Sequence, residues 1–401
     1  MTRLIAQHGA AKGQKITDGL MRGTLSGAIF SPNDENVESI IRYVKITEGL
    51  DKNNSYLDPQ FYFSTFESTI LKKLGDVGVF PSNIVRRDWR KKSDNILNYI
   101  DYHAKQTNEI SDTLITPGFY IDNIDWHFDY SIDMYNYCVE NFDFKKYCLS
   151  LLISSSFFNN KSNVDEMIEE IDEVCIRKDY IYLTICYDTN GDNNYEDMDP
   201  NCLGNILYMI YSLQKMGFKF IIGYTFMNSI LFAMLGCELV GSGWFNTLRK
   251  FQKNKFEQSD SFGRRKKRYT SIPLLSFITF DNLNDMIGED KVEINEVLSG
   301  CSSDSMFVFD KDMLSFVDLE HQYWESLSSV FNVFDDNCDI VNNIEIMKVL
   351  INEALQIYRK AIDKLNEEDE RIALNRIKSS SKHLTTWLLG IEVFKSNVMI
   401  L

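Results

Sequence analysis

The sequence predicts an α/β fold: a (β/α)8, TIM-like barrel with a C-terminal helical appendage. Three observations carry this. Gly217–Arg249 reads as a complete β-α-β unit: KFIIG is a short apolar run, TFMNSILFAMLG has helical periodicity ending at Gly236, and CELVGSG is a second strand before WFNTLRKF opens a new helix. Similar apolar runs alternate with helical stretches from about residue 27 onward. Beyond about residue 315 strand-like runs cease.

In chain order the strands are expected at Gly27–Ser31, Tyr56–Phe63, Asp112–Tyr120, Tyr147–Ser154, Tyr180–Asp188, Lys219–Tyr224, Glu238–Ser242 and Thr270–Phe280. Helices are expected between them, at Asn36–Glu48, Ser93–Asn108, Asp125–Asn141, Val164–Arg177 and Asn201–Met216. Parallel strands need such crossovers. A doubly wound open sheet is the structural alternative. Asp318–Phe334, Asn343–Leu365 and Glu367–Phe394 are amphipathic and helical. The division is thus an N-terminal extension (1–26), a barrel (27–315) and a helical C-terminal region (316–401) packed on the barrel or on a partner.

The 401 residues are 44% hydrophobic and 13% aromatic, enough for a large core. The net charge of -16 repels phosphates on average, so a polyanion-binding surface is not the default. Two basic clusters run against it, Arg86–Lys92 and Arg264-Arg265-Lys266-Lys267-Arg268; each also reads as a solvated surface. The eight cysteines form no CxxC pair and most sit in apolar runs, which fits a reducing cytosol. The N-terminal stretch has no apolar run of signal-peptide or membrane-span length, so a cytoplasmic protein without a membrane partner is expected. The five histidines show no HxH or HxxxH spacing; no metal and no cofactor are expected.

Barrel ligands bind at the C-terminal strand ends. Asp58 and Asp188 fall there and are the acid–base candidates, since burial can separate the pKa values of two converging carboxylates. Each could instead cap a helix or bond a loop backbone. Asp58 is the sharper case, lying within an apolar run where a carboxylate is costly without partners. Gln60 and Tyr62 share its face by strand alternation. Tyr224, Gly241, Ser242, Gly243, Trp244 and Arg249 complete the candidate ligand-binding set, with Gly241-Ser242-Gly243 a possible phosphate cradle or simply a tightly packed strand end. Ser242 has no histidine partner in view, so no Ser/His/Asp triad is expected.

The order of these patterns resembles the tRNA-guanine transglycosylase superfamily of barrels. Asp58-Pro59-Gln60-Phe61-Tyr62 resembles the family's strand end whose aspartate acts at the base. Phe220–Val240 resembles the strand–helix–strand leading to its nucleophile. Leu298-Ser299-Gly300-Cys301-Ser302-Ser303-Asp304 with Leu319-Glu320-His321-Gln322-Tyr323 looks like a degraded zinc element, and Asn343–Ala361 like the helix after it. The departures matter as much. The family's nucleophilic aspartate would fall near Gly241, and Glu238 lies upstream; of the zinc ligands only Cys301 and His321 remain, with Asp304 a poor substitute.

The resemblance implies the fold more firmly than the activity. Three functions are therefore open. The first is a binding or assembly component with degenerate catalytic and zinc motifs, of the kind found in nucleic-acid-related or antiviral, phage-defence systems, with a protein partner or a homo-oligomer. The second is a transglycosylase or glycosidase acting on a nucleoside or a nucleic-acid base through Asp58 and Asp188. The third is a nucleic-acid-binding module using Arg264–Arg268 and Arg86–Lys92.

Overall fold

The computed structural model describes residues 1–66, 71–81, 84–187, 198–253, 266–288, 291–334 and 339–399. Nine parallel strand segments build the main sheet: β1 Arg3–Gln7, β2 Ala28–Phe30, β3 Ser55–Leu57, β4 Thr113–Ile115, β5 Tyr120–Ile121, β6 Lys146–Ser154, β7 Tyr180–Cys186, β8 Lys219–Gly223 and β9 Leu239–Ser242. Their order is β3-β2-β1-β9-β8-β7-β6-β4, with β5 also on β6. Because β4 and β5 are two halves of one strand, this is an eight-stranded parallel barrel open at one seam. At that seam β3 and β4 lie side by side without a ladder. The Asp112 N–H donates across it to the Lys52 carbonyl (2.7 Å). His103, fully buried and held neutral by a pKa lowered to about 4 through burial, bonds the Ile115 carbonyl at 2.8 Å.

The break between β4 and β5 is a bulge. Ile115 pairs with Cys148 and Tyr120 with Leu152, so this strand carries one more residue than β6. Gly118 sits in the bulge with its Cα against β6; a Cβ there would lie 2.3 Å from the Ser150 carbonyl oxygen. Backbone cannot yield as a side-chain tip can. Gly118→Ala is therefore expected to cost about 2–3 kcal/mol in urea unfolding, and a loss below about 0.5 kcal/mol would show that the bulge relaxes.

Side chains alternate across each strand. One set fills the barrel: Ile5, Ile29, Tyr56, Ile115, Cys148, Tyr180, Tyr182, Ile221 and Leu239 form a closed apolar cluster. The other set faces the surrounding helices. These run over Val37–Ile46, Asp94–Ile110, Trp126–Asn141, Lys161–Val174 and Pro200–Lys215, with a short Ser229–Met234 helix between β8 and β9. Asp125, Asn160 and Asp199 cap three of them through their side chains, which explains their sharp starts.

Four expectations are corrected. Residues 1–26 do not all precede the barrel: Arg3–Gln7 is its first strand, paired with both β2 and β9. Thr270–Phe280 is not a barrel strand. It is the turn and much of an antiparallel hairpin, β10 Arg268–Ser271 with β11 Ser276–Thr279, reversed around Pro273 and a left-handed Leu275 (φ 46). The run Tyr56–Phe63 is strand only to Leu57; Gln60 turns left-handed (φ 52) and Phe61–Thr65 coils into a 3-10 turn. WFNTLRKF forms only the 3-10 turn Asn246–Leu248 rather than a helix.

The C-terminal region is helical as expected, over Phe316–Phe331, Ile340–Glu367 and Arg371–Asn397. The last helix lies along Pro200–Lys215 on the barrel wall, where Asn397 Nδ2 donates to Asn205 Oδ1 (2.8 Å). Among the described residues, no helix is long and apolar enough to cross a membrane.

Candidate functional site

Asp58 follows β3 at the C-terminal mouth of the barrel and is wholly buried. The turn after it curls back, so Gln60 N–H donates to Asp58 Oδ1 (2.9 Å). The second oxygen, Oδ2, accepts the hydroxyls of Tyr62 (3.0 Å) and Tyr182 (3.2 Å), the latter reaching across the lumen from β7. Burial pushes the carboxyl pKa from 3.8 up to about 6, and these three donors only partly offset it. The tyrosine hydroxyls are driven well above their ordinary value, by burial first and then by the Asp58 charge. Gln60 and Tyr62 thus reach Asp58 through a turn, not through strand alternation.

Gln60 also ties the carboxylate to the strand next door. Its Oε1 accepts from Ser31 Oγ and from Asn33 N–H, both at 3.0 Å. The Ser31 N–H in turn donates to His8 Nδ1 (3.3 Å). Since Nδ1 accepts, Nε2 carries the proton and donates it to Glu35 Oε2 (3.1 Å). Lys12 Nζ lies 2.7 Å from the same oxygen. The His8 hydrogen bond, with Lys12 beside it, holds Glu35 down at about 2 despite partial burial. A continuous polar chain therefore runs over the ends of β1, β2 and β3: Lys12, Glu35, His8, Ser31, Gln60, Asp58.

On the other side of the mouth, Tyr224 adopts a left-handed backbone (φ 53), and its N–H donates to Gln7 Oε1 (3.3 Å). Gln7 Nε2 is buried with no hydrogen-bond partner among the described residues. Gly241 faces this side chain. A Cβ on Gly241 would meet Ile29 Cδ1 at 3.0 Å and Gln7 Oε1 at 3.2 Å. Ser242 Oγ is shared between the Thr225 carbonyl (2.5 Å) and the Tyr323 hydroxyl (2.7 Å). The Gly243 N–H is taken by the Leu248 carbonyl (3.2 Å), and the 3-10 turn Asn246–Leu248 follows, so this N–H is already engaged at a tightly packed strand end. Trp244 Nε1 donates to the Ala10 carbonyl (3.0 Å).

Arg249 is buried with its Nε on the Gly243 carbonyl (2.7 Å). Its guanidinium lies 3.5 Å from the Tyr323 ring centroid and 4.7 Å from that of Phe277. It joins β9 to the hairpin and to the first C-terminal helix.

Asp188, Arg264 and Arg265 lie outside the described residues. The rest of that basic run is tied to the protein: Lys266 pairs with Asp281 (3.4 Å), Lys267 donates to the Asp312 carbonyl (2.7 Å) and Arg268 to the Phe277 carbonyl (3.3 Å). The Arg86–Arg90 helix exposes its arginines, while Lys92 covers the Trp89 ring at 3.4 Å. At the zinc-like element, Cys301 Sγ sits 3.0 Å from Ser326 Oγ with its pKa pushed up to about 12 by burial. Asp304 accepts from Tyr269 and from Cys301 N–H, and His321 faces Asp18 at 3.6 Å. Among the described residues, no three His, Cys, Asp or Glu side chains converge as metal ligands do.

Sequence reasoning missed Gln7, His8, Lys12, Ser31, Glu35 and Tyr182. The first three follow from the unrecognised β1; the polar pair Gln7-His8 closing the apolar triplet Leu4-Ile5-Ala6 was the available signal. Tyr182 carried no signal, since a tyrosine in a strand reads as core. Compared with known proteins, the chain matches no family model, no curated protein and no solved structure.

Proposed function

We propose that this TIM-like barrel is a diverged relative of the transglycosylase type, working as a binding or assembly component in a nucleic-acid-related or phage-defence system rather than exchanging bases. One observation carries the reading. The family's nucleophile would fall near Gly241, which carries no side chain at all, and a Cβ there would meet the tips of Ile29 (3.0 Å) and Gln7 (3.2 Å), both of which must give for any larger residue. Double displacement needs a covalent nucleophile, and the neighbouring Ser242 hydroxyl is engaged by Thr225 and Tyr323.

A second reading rests on Asp58. A buried carboxyl at a barrel strand end with its pKa raised to about 6 is suited to general acid–base work on an N-glycosidic bond. One experiment separates the two. Purified protein is incubated with total host tRNA and labelled guanine, alongside Asp58→Asn. The binding reading expects neither incorporated label nor released free base in either sample. Incorporation, or release of free base, by the wild type that Asp58→Asn abolishes would overturn it in favour of the enzyme.

A further inference from the structure

The barrel's opposite, N-terminal face carries a groove of about 580 Å³. That volume is in the range of small-molecule sites, about 300–1,000 Å³. It lies between the starts of β1 and β8, the end of helix Pro200–Lys215 and the start of helix Ile340–Glu367. Its lining is mixed: Phe218, Met234, Leu235 and Ile340 supply apolar surface beside the polar Gln214 and Asn343.

Its charge is opposite to that of the molecule. The chain carries a net -16, yet this groove presents Arg3, Lys215 and Lys219 against the single carboxylate of Glu238. Glu238 is already committed, to Arg3 at 3.1 Å, Lys219 at 2.8 Å and the Tyr180 hydroxyl at 3.2 Å. Lys215 is exposed and has no carboxylate partner among the described residues; its ammonium stands 5.1 Å from the ring centroid of Tyr211, another wall residue. Apolar surface beside an excess of cations suits one chemistry.

We propose that this groove binds a small amphipathic anion: an apolar body on the Phe218–Leu235 surface and a carboxylate, sulfonate or phosphate head at Lys215 and its neighbours. The site is remote from Asp58 and does not depend on the reading of the mouth. Because barrel and C-terminal helix both line it, an occupant would hold the two together and raise the melting temperature with the logarithm of its concentration above Kd.

The test is calorimetric titration of the full chain with decanoate, with decan-1-ol as the uncharged control of equal chain length. Decanoate is expected to bind at least about tenfold more tightly than the alcohol, and Lys215→Glu to weaken it about tenfold while Lys215→Arg stays within about twofold. Raising salt from about 0.05 to 0.5 M should weaken decanoate severalfold, since the head group is solvent-facing. Equal binding of acid and alcohol, indifference to Lys215→Glu or to salt, or no decanoate binding at about 1 mM would each overturn the proposal.

Discussion

Asp58→Ala is expected to lower the unfolding free energy by about 3–5 kcal/mol, read by urea denaturation. The substitution leaves Gln60 N–H and the hydroxyls of Tyr62 and Tyr182 without their acceptor, all in a part of the barrel closed to solvent. Each orphaned buried donor costs about 1–3 kcal/mol, and the cavity adds to it. Asp58→Asn should behave differently, because it keeps the shape and removes the charge. The pKa of Asp58 is raised from 3.8 to about 6, so the folded state holds the proton more tightly than the unfolded chain. Its contribution is fully present below pH 3.8 and is lost as pH rises through about 6, a change of about 3 kcal/mol at most. Relative to wild type, Asp58→Asn should therefore gain stability across that window and level off above it. A difference that stays flat across the window would mean that the carboxyl titrates as a solvated group and that Asp58 is not buried in solution.

Arg249→Leu carries the second large expected effect, about 3–4 kcal/mol. Three structural units meet on this one side chain. Its Nε holds the Gly243 carbonyl at the end of β9, and its guanidinium plane covers Tyr323 of the first C-terminal helix and Phe277 of the hairpin. Leucine fills part of the volume but leaves the carbonyl without its charge-assisted donor. Arg249→Lys should recover less than half the loss, because an ammonium has neither the fork nor the flat face that stacks on a ring. Trp244 and Trp324 stand edge to face at 6.3 Å beside this joint, and Trp324 Nε1 bonds the Ser242 carbonyl, so tryptophan fluorescence reports it during unfolding. A lysine variant as stable as wild type would mean that charge alone, and not the stacked plane, holds the joint.

Legibility followed burial. Strands β6 and β7 are buried along nearly their whole length, and YCLSLLIS and YIYLTIC announce them as continuous apolar runs. Asp58 was legible for the converse reason: a carboxylate inside an apolar run needs partners, and it has three. Arg3–Gln7 was not legible as a barrel strand, since five residues with one apolar triplet resemble any extended start of a chain. Thr270–Phe280 misled because an apolar run hides its own reversal; Pro273 and the left-handed Leu275 are what distinguish hairpin from strand. The His8–Glu35–Lys12 cluster stayed hidden because it depends on β1 being in the barrel.

By itself the chain determined the alternation of strands and helices, the helical C-terminal region and Asp58 as the residue to watch. These are local properties, written as period, length and the cost of a charge among apolar neighbours. Only the tertiary structure decided which strand opens the barrel, which tyrosine crosses the lumen to Asp58, and that Ile29 and Gln7 occupy the space beside Gly241. Those depend on pairings such as Ile5 with Gly241, between residues at opposite ends of the barrel sequence. Periodicity records that a side chain is buried; closing the barrel alone selects the neighbour it is buried against.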